Sequence, residues 1–283
     1  MSQFSINTNI SAQIALQSLS TTSSSLAATQ KQISTGYRVA DATDDGAAYA
    51  VAQRVRSDVG ALTSANQQLG NMQGLLSTTV TALTNVSNTM NSARAVLVKL
   101  ADSSVTGTTR TQYVQQYQSM MANIKTFVQD AGYNGKTLIG NITGSTGSFG
   151  KVATVRNELG ATYGVGTFSG SSFFASVNFT STQLNGASTV QGLITSTGTF
   201  LNKLNTLGTE LNTYGSATNY VNNQITYNSD KIDALNSGLG SLIDANLAQE
   251  SALLQSLQVK QQLGTQALSI ANSAPSSLLS LFK

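Results

Sequence analysis

From Leu62 to Leu97 a large apolar side chain stands at every seventh position: Leu62, Leu69, Leu76, Leu83, Met90 and Leu97. A second, mostly apolar series follows three residues behind it, through Ala65, Met72, Thr79, Val86, Ala93 and Leu100. A heptad held over five steps keeps one narrow seam on one side of a helix, and a helix with such a seam has to lie along other helices. This is the pattern of a structural polymer more than of an enzyme.

Weaker forms of the repeat flank it. Ala12, Leu19, Leu26 and Ile33 predict a first helix from about Ser11 to Ser34, with polar Ser23 and Gln30 as the partner series, so that this helix needs neighbours to fold. Gly36 interrupts it, and Asp44 and Asp45 then supply the carboxylates favoured at a helix N-terminus. The helix they open runs to about Ala101, some ~58 residues or ~85 Å. A third carries Tyr113, Tyr117, Met120, Ile124, Phe127 and Ala131 and ends at Gly132, before a turn at Tyr133-Asn134-Gly135-Lys136.

Between Gly140 and Gly192 there are ten glycines and many hydroxyl residues. Alternation in Phe173, Ala175, Val177 and Phe179 predicts a strand, and the segment reads as a small β-rich insertion. Its hydroxyls would suit O-linked sugars or simply polar loops. The heptad then resumes through Leu193, Phe200, Leu207, Tyr214, Val221, Asn228, Leu235 and Leu242, a second rod as long as the first and its obvious partner. Asn228 breaks the apolar series, either as a buried amide that fixes register or as a solvated residue at a frayed seam. The last forty residues continue through Leu247, Leu254 and Leu268 to an apolar tail, Leu278 to Phe282, that only an assembly would bury. The expected fold is mainly α: long antiparallel helical rods or coiled coil formed by the N- and C-terminal regions, with the insertion between them.

Composition narrows function. The 283 residues include no cysteine, histidine or tryptophan, which removes disulfides, the usual zinc sites, imidazole bases and most catalytic repertoires. Asp44-Asp45 is the densest acidic site, and helix-dipole stabilisation accounts for it without catalysis. No cofactor is expected. Charged residues make up 10% of the chain, against roughly 25% in ordinary globular proteins, so a surface of amides and hydroxyls can pack against copies of itself at little desolvation cost. The net charge of +3 is spread out, which argues against nucleic-acid binding. No apolar run approaches bilayer length, so no membrane insertion is expected, and Met1 to Ile6 lacks the features of a cleaved secretory signal.

The residues resemble one family, bacterial flagellin. The N-terminal likeness rests on Ile6-Asn7-Thr8-Asn9, Ser34 to Val39, Asp44-Asp45, Arg54, Leu62-Thr63, Gly74 and the Tyr133 to Lys136 turn. The C-terminal likeness rests on Ile243-Asp244-Ala245, Ala248, Glu250, Gln261-Gln262, Gly264-Thr265, Ala271-Asn272 and Pro275 to Leu281. The resemblance covers about residues 1–140 and 190–283. It implies a secreted subunit of the extracellular bacterial flagellum, exported unfolded by the flagellar type III apparatus and polymerised into the filament for swimming motility. It also implies a homopolymer whose other partners are an export chaperone at the C-terminal region and the filament cap and hook-junction proteins.

By that resemblance, residues 1–40 with 243–283 form a terminal coiled coil lining an inner tube, 41–139 with 190–242 a rod domain, and 140–189 an exposed variable region. The packing and assembly positions expected are Leu19, Leu26, Ile33, Arg38, Asp44, Asp45, Arg54, the six seam residues from Leu62 to Leu97, Arg94, Asn228, Leu247, Leu254, Leu268, Leu278 and Leu281. Leu242, Asn246 and Val80 depart from charged residues common in the family. Ser92 and Gln116 replace an Arg and a Glu through which animal innate immune receptors contact many flagellins, which implies weak or no activation of that receptor. The rival readings are a hook–filament junction protein of the same superfamily and a membrane-active translocator; the latter lacks an apolar hairpin of bilayer length.

Overall fold

The computed structural model describes residues 8–280, with side chains through Ser273. Leu281 therefore lies outside the described residues, as does the side chain of Leu278. The elements in chain order are α1 (Ile10–Thr35), α2 (Gly46–Leu100), α3 (Gly107–Gln129), β1 (Gly132–Tyr133), β2 (Lys136–Thr137), β3 (Ser148–Phe149), β4 (Val152–Val155) and β5 (Thr162–Val165). There follow α4 (Gly170–Val177), α5 (Ser181–Asn185), α6 (Ala187–Ile194), α7 (Thr199–Ile243) and α8 (Leu247–Ser280). The chain is mainly helical with a small strand-bearing insertion, and it divides into two compact units: residues up to 57 with those from 234, and residues 58–233.

In the larger unit all twelve residues of the α2 double series are buried. Leu75, Ala82 and Val96 add a third buried line, so the apolar face is wider than a two-helix seam and takes a helix on each side. One is α3, which contributes Val114, Tyr117, Met121, Ile124 and Val128. The other is α7, through Phe200, Leu207, Tyr214 and Val221. Asn66 Nδ2 donates to Ser229 Oγ at 3.3 Å and Gln73 Nε2 to Asn222 Oδ1 at 2.7 Å, so seven residues forward on α2 answer seven backward on α7. The helices are antiparallel partners, as the matching heptads predict.

They are not of equal length. The second rod has 45 residues against 55 in α2, and Leu193 belongs to the separate α6. The break falls at Thr195 to Gly198, where Thr195 Oγ1 donates to the Gly192 carbonyl and the Gly198 amide to the Thr195 carbonyl. Short hydroxyl side chains beside glycine compete with helical hydrogen bonding and favour such a turn.

The strands run from the segment just before the insertion into its first half only. β1 and β2 form a hairpin across Asn134 and Gly135, both at positive φ, as a tight two-residue turn requires, and β3 pairs parallel to β2. β4 and β5 form a separate antiparallel hairpin. The strand expected over Phe173 to Phe179 is instead helix α4. Ser169 caps it by accepting from the Ser172 amide, and Phe173 and Val177, one turn apart, are both buried. Tyr117 closes the far end by donating to the Val177 carbonyl, and Phe179 stacks on the Tyr117 ring. Burial raises the Tyr117 phenol above its ordinary pKa.

In the smaller unit α1 and α8 lie antiparallel, fixed at one end by Asn9 Nδ2 donating to the Ala271 carbonyl at 2.7 Å and at the other by a bridge between Tyr37 and Asp244. Leu19 meets Gly264, where an added Cβ would lie 3.2 Å from its Cδ1, so the missing side chain allows the close approach. The inward line of α1 is Ala12, Ala15, Leu19, Thr22, Leu26, Thr29 and Ile33. The second series thus runs three residues after the first through small and hydroxyl residues, with Ser23 at its flank; the expected Gln30 is exposed.

Candidate assembly surface of the terminal helix pair

The α8 line that answers α1 is Leu254, Leu257, Gln261, Gly264, Leu268 and Ala271, again at alternating three and four spacing. Using up these positions in the pair leaves other apolar residues outside it. On α1, Ile10, Ile14 and Leu16 are exposed; on α8, Leu247, Leu253, Val259, Leu263 and Ile270 are. Ile14 retains 63% and Ile270 71% of its accessible surface, on helices whose remaining outer positions are almost all uncharged. Apolar side chains exposed along two neighbouring helices mark an interaction surface. The described residues offer amides, hydroxyls and aliphatic groups there, which suits dry helix packing.

The connector between α1 and α2 is held by charge. Lys31 Nζ donates to Asp41 Oδ2 at 2.7 Å and to both Asp44 oxygens at 2.8 and 2.9 Å. Asp44 also accepts from the Ala40 and Asp41 amides, and Asp41 from Thr43. The Lys31 ammonium keeps both carboxyls below the usual carboxylate range and is itself raised by them. Of the two acids read as helix-start carboxylates, Asp45 takes that role, accepting from the Ala47 and Ala48 amides, while Asp44 faces Lys31. Arg38 donates to the Leu242 carbonyl, its amide and that of Val39 to the Ile243 carbonyl, and the Ala245 amide returns to Gly36. Beneath these bonds Val39, Ala48, Ala52 and Ile243 form a small core, with Leu242 packed on it.

The other expected positions fall into three classes. Leu62, Leu69, Leu76, Leu83, Met90 and Leu97 are consumed inside one chain, and Asn228 is fully buried with them. Arg54, Arg94, Ser92 and Gln116 are exposed, as is Leu247, while Leu19, Leu26, Ile33, Leu254 and Leu268 are half-buried in the helix pair. Two residues had no signal in the sequence. Lys31 has acidic partners ten and thirteen residues away, beyond any helical spacing. Arg110 is buried and donates to the Leu100, Val105 and Leu184 carbonyls, joining the C-terminal end of α2 to that of α5, where the helix dipoles favour a cation.

Comparison with known proteins agrees with this anatomy. Residues 6–143 match the bacterial flagellin N-terminal helical region and residues 194–282 the bacterial flagellin C-terminal helical region. The chain belongs to the flagellin family. It is 33% identical to flagellin FljK of Caulobacter vibrioides over 282 residues, covering 99% of this chain and 98% of that protein. It is 32% identical to a flagellin of Brucella melitensis over 291 residues, covering 99% of both. A structure titled as a putative flagellar hook-associated protein from Vibrio parahaemolyticus shares the fold, with a TM-score of 0.56 and 15% identity over 71% of this chain and all of the other. The flagellin described here is a structural subunit that self-polymerises into the flagellar filament, an extracellular assembly. No helix among the described residues is long and apolar enough to cross a membrane.

Proposed function

We propose that this flagellin polymerises by burying the outer apolar positions of α1 and α8 against the same pair in neighbouring copies, as the inner layer of the filament. The observation that carries the reading is the exposure of Ile10, Ile14 and Leu16 on α1 and of Val259, Leu263 and Ile270 on α8, helices whose inward lines are already filled. Burying a fully exposed aliphatic side chain contributes about 1.5–3 kcal/mol, and repetition at every copy multiplies a modest pairwise gain. The paired terminal helices act as the filament's inner tube, the α2–α7 rod as the shell around it and the insertion as its outer face. As a structural subunit the chain has no catalytic role.

Export unfolded through the type III apparatus fits a chain without disulfides, whose helices draw on seams between distant segments. A chaperone that masks the apolar α8 before assembly, and the filament cap and hook-junction proteins, complete its partners. A filament role is favoured over a hook–filament junction role because flagellins match over the whole chain at about a third identity. Ser92 and Gln116, both exposed and uncharged, deprive an innate immune receptor of its charge-assisted contacts, so activation is weak.

The test is seeded elongation followed by light scattering and electron microscopy. An Ile14→Ser, Ile270→Ser double variant is expected to keep the helical circular dichroism of the monomer and to lose elongation at least tenfold. Normal elongation by that variant would sink the proposal. For the receptor, purified monomer should signal poorly, and Ser92→Arg with Gln116→Glu should increase signalling; no increase would exclude those two positions as the cause.

A further inference from the structure

The polar contacts between α2 and α7 repeat every seven residues and do not by themselves select one alignment. Asn66 and Gln73 on α2 are seven apart, and so are Asn222 and Ser229 on α7. The apolar residues of both seams have the same period. Shifting α7 by one heptad brings Ser229 to Gln73 and Asn236 to Asn66, polar against polar, while Phe200, Leu207, Tyr214 and Val221 exchange seam positions with residues of different size. In the shifted alignment Asn228 meets Gln73 in place of Asn66.

The β4–β5 hairpin lacks this symmetry. Asn228 is fully buried and uses one amide hydrogen on Asn66 Oδ1 at 2.9 Å and the other on the Arg156 carbonyl, in the hairpin, at 3.0 Å. Its own oxygen accepts from Gln224, so the amide is satisfied only while the hairpin is in place. The same hairpin grips α7 on both sides of Asn228. The Tyr163 ring stacks on Tyr220 with centroids 4.1 Å apart, and Glu158 pairs with Lys231 at 2.5 Å. On its other face Val152, Ala153 and Thr154 of β4 border the cleft against Met72 and Leu75 of α2.

We propose that the β4–β5 hairpin is a strap that sets the register of α7 against α2, with Asn228 as the residue through which it reads that register. A heptad slip carries α7 about 10 Å along the hairpin. It leaves the Arg156 carbonyl without a donor, separates the two tyrosines and breaks the ion pair. The polar ladder between the helices survives the slip and the strap contacts do not. A segment of the insertion, outside the helical seam, thus decides how the rod is aligned.

The chain has no cysteine, so spin labels at Thr84→Cys and Thr226→Cys, both exposed, are unambiguous. Distances are measured by pulsed electron resonance in the full-length monomer, with circular dichroism as the check on helicity. The native background should give a single distance. Asn228→Leu together with Tyr220→Ala and Lys231→Met should add a second population displaced by about 10 Å, while Gln73→Ala with Asn222→Ala should keep the single native distance. Asn228→Leu alone, which keeps the bulk of the side chain, should give a smaller second population, and it decides the matter if the triple variant does not fold. A single native distance in the folded strap variants, or a slip in the ladder variant instead, overturns the proposal.

Discussion

At the residue scale, stability concentrates where a polar group is buried with several partners or where a side chain has no room. Arg110 holds three carbonyls with one guanidinium, a geometry that a lysine amine cannot reproduce. Arg110→Met leaves those carbonyls without their donor and should cost about 2–4 kcal/mol in urea unfolding, with Arg110→Lys recovering part of it. Gly170, at the start of α4, is the steric counterpart. A Cβ there would lie 2.3 Å from the Ile139 carbonyl oxygen and 2.4 Å from Val128 Cγ1. Gly170→Ala is expected to destabilise by about 1–3 kcal/mol, read as a lowered unfolding midpoint with an unchanged denaturant slope. Neither role has a signature in the local sequence, because the Leu184 carbonyl that Arg110 ties to the end of α2 and the Ile139 that faces Gly170 arrive from segments remote in the chain.

At the scale of elements, the α1–α2 connector is the part most open to solution conditions. The Asp41 and Asp44 carboxyls are lowered by Lys31, so their contribution is present above the unfolded carboxylate pKa and is lost as pH falls through the lowered folded values. Lys31 is raised, so its contribution holds through neutral pH and disappears only as pH rises through its folded value. The Ala40 and Asp41 amides, which donate to Asp44, should accordingly lose hydrogen-exchange protection in acid and keep it across the neutral range. Lys31→Met should shift that loss to higher pH; an unchanged profile would mean that backbone bonds alone hold the connector. The helices α1, α2 and α3 were legible in the sequence, α2 within one or two residues. Phe173 to Phe179 was not: alternation over seven residues also fits one turn of a short helix whose Phe173 and Val177 face inward, and Ser169 and Gly170 tip the choice through packing.

At the scale of the molecule, the two units divide the work. Residues 58–233 contain a continuous core from Leu69 to Val221 together with the strand-bearing insertion. A fragment of those residues is expected to unfold cooperatively by circular dichroism and to fail in seeded elongation, since it lacks the exposed apolar positions of α1 and α8. The amino-acid sequence by itself determined the helices, their heptad faces and the pairing of distant rods, because side-chain periodicity acts locally through the fixed pitch of the α-helix. It also determined the flagellin likeness and the absence of thiol and imidazole chemistry. Only the tertiary structure decided which apolar residues are spent inside the chain and which remain for a neighbour. It alone placed Lys31 between two acids, made Arg110 a junction and showed Asn228 to be a buried, satisfied amide and not a frayed one. The physical reason is that a heptad names a face without naming its partner, and the partner is chosen by shape and hydrogen bonds supplied by other segments of the chain.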